Sequence, residues 1–67
     1  MTPKQAYYKA RESGKRIPEL EPTIIKNAQC SYWYAEDVIK GKLPDFMHNR
    51  MILSNDEYAK EYVKFIQ

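Results

Sequence analysis

Apolar positions recur at helical spacing along this chain, and no Asn-Gly or Asp-Gly dipeptide marks a β-hairpin. Thr2-Pro3-Lys4-Gln5 has the form of a helix start: a hydroxyl to cap, a proline at the first helical position, and a glutamine three residues after the cap. The helix continues through Ala6-Tyr7-Tyr8-Lys9-Ala10-Arg11-Glu12-Ser13 to Gly14, a natural left-handed stop, with Lys15 and Arg16 following where cations favour a helix C-terminus. Pro18 and Glu19 predict a second, short helix of about two turns, with Pro22 tolerated in its first turn and Leu20, Ile24 and Ile25 facing inward. Asn27 is placed to cap a third helix from Ala28 to Lys40, ending at Gly41. Its apolar stripe is Ala28, Ser31/Tyr32, Ala35 and Val38/Ile39, and Trp33 falls nearly opposite, beside Gln29, Glu36, Asp37 and Lys40.

Lys42-Leu43-Pro44-Asp45 repeats the proline-plus-acid start and predicts a short helix through Phe46, Met47, Arg50, Met51 and Leu53, with Phe46, Met47 and Met51 assigned to the core. Ser54-Asn55-Asp56-Glu57 matches a capping box, so the last helix is expected from Asn55 toward Gln67 with Tyr58, Ala59, Tyr62, Val63 and Ile66 on one face. The expected fold is therefore all-α, a compact helical repeat of about five helices, three longer and two short, in one domain over 1–67.

The repeat is visible in the residues. Tyr34-Ala35-Glu36-Asp37-Val38-Ile39-Lys40 aligns with Tyr58-Ala59-Lys60-Glu61-Tyr62-Val63-Lys64, and Gly14-Lys15-Arg16-Ile17-Pro18-Glu19 parallels Gly41-Lys42-Leu43-Pro44-Asp45. Tyr7 lies 27 residues before Tyr34, and Tyr34 lies 24 before Tyr58. The unit is a helix, a Gly-Lys turn, Pro-acid and a short helix, and it is too small to bury its own face without stacking on a neighbour. Tyr7, Tyr34 and Tyr58 are expected to be recurrent tyrosines packed between helices.

Residues 34 to 45, Tyr-Ala-Glu-Asp-Val-Ile-Lys-Gly-Lys-Leu-Pro-Asp, resemble a tandem motif of proteins from large tailed bacteriophages. There a Tyr-Ala pair leads into Val-Ile-Lys-Gly-Arg, then Trp-Pro-Glu-Ala-Glu and a following Ile. Glu19-Leu20-Glu21-Pro22-Thr23-Ile24-Ile25 is similar to the second half of that unit. Lys42-Leu43 stands where the motif has Arg-Trp, and Phe46-Met47 where it has Ala-Glu. The resemblance implies origin and fold and transfers no catalytic residue. By analogy of class, small phage proteins commonly bind and disable a host protein.

Composition narrows the function classes. The 67 residues carry 11 Lys+Arg against 9 Asp+Glu, a net charge of +2 that is too small to demand nucleic acid or anionic lipid. A chain of this length buries only about 60 % of its unfolded surface, which leaves little room for a deep cavity or large cofactor. No apolar run approaches the roughly 20 residues of a membrane span. The opening residues lack the apolar core of a signal peptide, and the lone Cys30 precludes an intrachain disulfide, so a cytoplasmic protein is expected, in the host cell if the origin is a phage.

Cys30 and His48, on different predicted elements, are too few for a structural zinc site, and no cofactor is expected. Cys30 sits inside a helix with no basic neighbour to activate it, and no phosphate loop, Gly-x-Ser-x-Gly or His-Glu-x-x-His occurs. Glu19/Glu21 and Glu36/Asp37 read as a helix N-terminus and a solvated face rather than as paired catalytic acids. An enzyme is not expected. Aromatic residues make up 13 % of the chain, with one Trp and six Tyr, and suit a binding surface. The expectation is an aromatic and basic face of Trp33, Tyr8, Arg11, Lys15, Arg16, Lys40 and Lys42 that occludes a host protein. The alternatives are a nucleic-acid module using that face and a self-associating protein built through the half-unit at 54–67.

Overall fold

The computed structural model describes residues 1–67. Its architecture is the five-helix, all-α one that the pattern predicts: α1 Pro3–Ser13, α2 Glu21–Ile24, α3 Ala28–Tyr34, α4 Asp45–Ser54 and α5 Glu57–Ile66. A 3₁₀ turn, Pro18–Leu20, leads into α2, and a π-helical turn, Ala35–Ile39, extends α3. No helix is long and apolar enough to cross a membrane.

Local chemistry sets most of the ends. Thr2 and Gln5 form a reciprocal capping box, in which the Gln5 amide donates to the Thr2 hydroxyl at 3.1 Å and the Thr2 amide to the Gln5 side chain at 2.9 Å. Gly14 closes α1 at φ 72°, where a side chain would be strained. Asn27 caps α3 by accepting from the Cys30 amide at 3.0 Å.

Two ends differ from the expectation. The left-handed residue after the π turn is Lys40, at φ 59°, and not Gly41. The wide turn sends the Lys40 and Gly41 amides back to the Ala35 carbonyl, which requires the reversal one residue earlier. At the α4–α5 junction the capping box over 54–57 does not form. Asn55 takes the left-handed conformation at φ 55°, α4 extends through Ser54, and Asp56 becomes the cap of α5 by accepting from the Tyr58 amide at 2.9 Å. Ser54 instead turns its hydroxyl back to the Met51 carbonyl. The fourth helix, expected to be short, thus runs to ten residues.

One cluster of 14 buried residues forms the core. Helix α3 is its axis and touches each of the other four helices, which is why residues on both of its sides, Cys30 and Tyr34 as well as Ser31 and Ala35, are buried. Helix α4 contributes Met47 and Met51, one turn apart, while Phe46 points away from that face and is 43 % exposed, contrary to its assignment to the core. The buried polar residues are each bonded. Ser31 donates to the Ile24 and Asn27 carbonyls at the α2–α3 junction. Glu21 receives Arg16 Nε at 2.7 Å, Arg16 Nη2 at 3.1 Å and the Tyr34 hydroxyl at 2.7 Å.

The repeat has a physical basis. Ile17, before Pro18, is extended, and Leu43, before Pro44, lies outside any helix, so neither amide has a helical partner. The Ile17 amide donates to the Tyr34 hydroxyl at 3.2 Å, and the Leu43 amide donates to the Tyr62 hydroxyl at 3.0 Å. Each hydroxyl is also tied to a second side chain: Tyr34 donates to Glu21, and Tyr62 shares a hydrogen bond with His48 Nδ1 at 2.6 Å. The counterpart of Tyr34 is therefore Tyr62, fully buried, and not Tyr58, which is half-buried and accepts from the Gln29 side chain at 2.9 Å.

Tyr62→Phe strands the buried Leu43 amide, and Tyr34→Phe strands the part-buried Ile17 amide and removes a donor from the buried Glu21; each is expected to lower unfolding free energy by about 1–3 kcal/mol. Tyr58→Phe is expected to change it by less than about 0.5 kcal/mol, because its hydroxyl lies at a partly wet edge. Urea unfolding followed by circular dichroism orders the three; equal losses at Tyr58 and Tyr62 would restore the register read from the sequence.

Candidate functional site

The meeting of side chains from α1 and the α3–π segment creates a shallow depression of about 210 Å³, lined by Tyr7, Tyr8, Arg11, Trp33, Glu36 and Asp37. Spacing explains its membership. Tyr7 and Tyr8 lie four and three residues before Arg11, and Glu36 and Asp37 lie three and four residues after Trp33, so each helix presents its members within one turn. Tyr7 is the buried floor. Its ring centroid is 5.3 Å from that of Tyr8 and 5.7 Å from that of Trp33, both pairs tilted. Trp33 is half-buried and packs against the core, whereas Tyr8 is 46 % exposed.

The electrostatics are mixed. The Tyr7 hydroxyl donates to Asp37 Oδ2, and the Tyr32 hydroxyl donates to Glu36 Oε2 at 3.1 Å. Burial, reinforced by the adjacent Asp37 carboxylate, pushes the Tyr7 phenol up to about 12. The ion pairs of the protein are Arg16–Glu21, Lys42–Asp45 and Lys64–Glu61, so neither Glu36 nor Asp37 has a cationic partner within 4.0 Å.

Neither a family model, nor a curated protein, nor a solved structure matches this chain.

What the site can do follows from its own chemistry. Of the seven residues expected on one aromatic and basic face, the depression unites Tyr8, Arg11 and Trp33. Lys15, Arg16, Lys40 and Lys42 do not line it. Lys15 is exposed in the turn after α1, and Lys40 is exposed at the left-handed end of the π turn. Lys42 is exposed with its ammonium 4.0 Å from Asp45. Arg16 is committed to the buried Glu21, an arrangement in which a planar guanidinium serves better than an ammonium. Glu36 and Asp37, assigned to a solvated face, and Tyr7, assigned to packing, complete the site; the signal for the acids was their helical spacing from Trp33.

The reactive candidates lie elsewhere. Cys30 is buried, and burial raises its thiol above the usual range, the reverse of an activated thiolate. His48 is engaged by Tyr62. No three His, Cys, Asp or Glu side chains converge to ligate a metal ion.

Two outcomes follow from these placements. Arg16→Ala removes the cation from a buried carboxylate and should lower the urea midpoint, while Lys15→Ala should leave it in place; equal midpoints for the two variants would return Arg16 to the surface set. The second concerns pH. A tyrosine in the unfolded chain titrates near 10.0, whereas folded Tyr7 holds its proton to about 12, so the folded state binds more protons in between. Stability from this group is complete below pH 10.0 and is lost as pH rises toward about 12. Tyr7→Phe should flatten that decline in unfolding experiments across the range.

Proposed function

We propose that this chain is a protein-binding module that acts without covalent chemistry, seating the face shared by α1 and α3 on a partner and covering that partner's working surface. The observation that carries the reading is the convergence of Tyr8, Arg11 and Trp33 on one depression. Tyr, Trp and Arg are the residues enriched in binding hot spots, and an anchor set in a packed surround loses little conformational entropy on binding. Glu36 and Asp37 on the same rim oppose a phosphate backbone, which favours a protein over a nucleic acid. The likeness of residues 34–45 to the phage motif supports a protein of the bacterial host as the partner and inhibition by occlusion as the outcome.

The test is affinity capture from bacterial lysate, with and without nuclease treatment, run beside Tyr8→Ala and Trp33→Phe. Tyr8→Ala is the cleaner variant, since Tyr8 is largely exposed whereas Trp33 also packs on the core. A host protein retained in stoichiometric amount by the wild type, reconstituted with purified components, and bound about tenfold or more weakly by Tyr8→Ala is the expected result. Bands that vanish with nuclease would transfer the reading to nucleic acid. An empty lane with a concentration-dependent mass would favour self-association through Ile52 and Leu53, which are 45 % and 82 % exposed at the end of α4.

A further inference from the structure

The depression at Trp33 carries a chemical preference of its own. Tyr8 and Trp33 line it over the buried ring of Tyr7, and the faces of aromatic rings are electron-rich. Two carboxylates stand beside them without a cationic partner. Each carboxylate is oriented by a tyrosine hydroxyl on one oxygen, Asp37 Oδ2 by Tyr7 and Glu36 Oε2 by Tyr32, while Asp37 Oδ1 and Glu36 Oε1 accept no hydrogen bond within the chain. The acids are thus held in place with an acceptor to spare. The volume, about 210 Å³, is below the roughly 300 Å³ at which sites for drug-sized ligands begin, and it suits the end of one side chain.

Aromatic faces attract cations within about 6 Å of the ring centroid, and carboxylates add directional acceptors. Resting on the protein-binding reading, we infer that this depression receives a single basic side chain, arginine or lysine, projecting from the partner. Its cationic head lies against Trp33 and Tyr8, and its N–H groups donate to Asp37 Oδ1 and Glu36 Oε1. Arg11 on the same lining carries like charge and meets no acid in the chain within 4.0 Å. The partner surface that fits therefore sets an acidic residue beside its basic one, and the site rejects a uniformly basic segment.

Trp33 is the only tryptophan, so its fluorescence reports on this depression directly. The full chain is titrated with N-acetyl-arginine amide, N-acetyl-lysine amide and the neutral isostere N-acetyl-citrulline amide, with backbone amide shifts recorded in parallel. Saturable changes at Trp33, Tyr8, Glu36 and Asp37 with either cation, and binding of citrulline weaker by about tenfold, are expected. Glu36→Gln combined with Asp37→Asn should remove the preference while circular dichroism stays unchanged, because the carboxamide oxygen introduced by Asp37→Asn can still accept from the Tyr7 hydroxyl. Equal binding of citrulline and arginine, or no saturable response to either cation, overturns the inference. The protein-binding reading fails separately. A captured partner that is lost with Tyr8→Ala but kept by the double acid variant sinks the basic-side-chain inference and leaves that reading intact.

Discussion

The amide of a residue that precedes proline is the constraint on which this fold turns. Proline disfavours helical geometry in its predecessor, and Ile17 and Leu43 lie outside the helices, so neither N–H has a helical partner, at one part-buried and one buried position. The chain solves this twice in the same way, with a tyrosine hydroxyl from a later helix: Tyr34 for Ile17 and Tyr62 for Leu43. A hydroxyl both accepts and donates, so each tyrosine also ties in a third group, Glu21 or His48. Helices α3 and α5 are thereby fixed against the turns that precede α2 and α4. The result is a core in which no buried side-chain nitrogen or oxygen lacks a partner.

That device explains what could be read from the sequence and what could not. Thr2 with Gln5, Gly14 and Asn27 act within a few residues of themselves, and their roles follow from residue type and position. Ser54-Asn55-Asp56 offers three residues able to cap, and the choice of Asp56 depends on Asn55 tolerating a left-handed backbone so that α4 can continue. The Tyr-Ala pair at 58–59 looks like the pair at 34–35, but hydrogen bonding selects the tyrosine whose hydroxyl reaches the Leu43 amide. That tyrosine sits one turn later, and local similarity carries no information about reach.

The site divides along the same line. Tyr8 and Arg11 share a turn of α1, Glu36 and Asp37 share a turn with Trp33, and these groupings are legible from spacing. Which helix crosses which is a tertiary fact, and only the crossing of α1 with α3 brings the two groups into one depression. The same packing separates the basic residues. Lys15, Lys40 and Lys42 stay on the turns, and the desolvated Glu21 carboxylate draws Arg16 away from the surface role that its charge suggested. Of the expected aromatic and basic face, Tyr8, Arg11 and Trp33 share one depression, beside two acids.

Each turn is completed by a residue far downstream, 17 positions on for Ile17 and 19 for Leu43. A nascent chain leaving the ribosome therefore exposes both turns before the helices that satisfy them exist. The second turn waits for Tyr62, in the last helix of the fold. The first turn is completed as soon as α3 forms, whereas the second stays open until α5 is in place. Its two turns are therefore completed in sequence, each by a helix still to come when the turn itself is made.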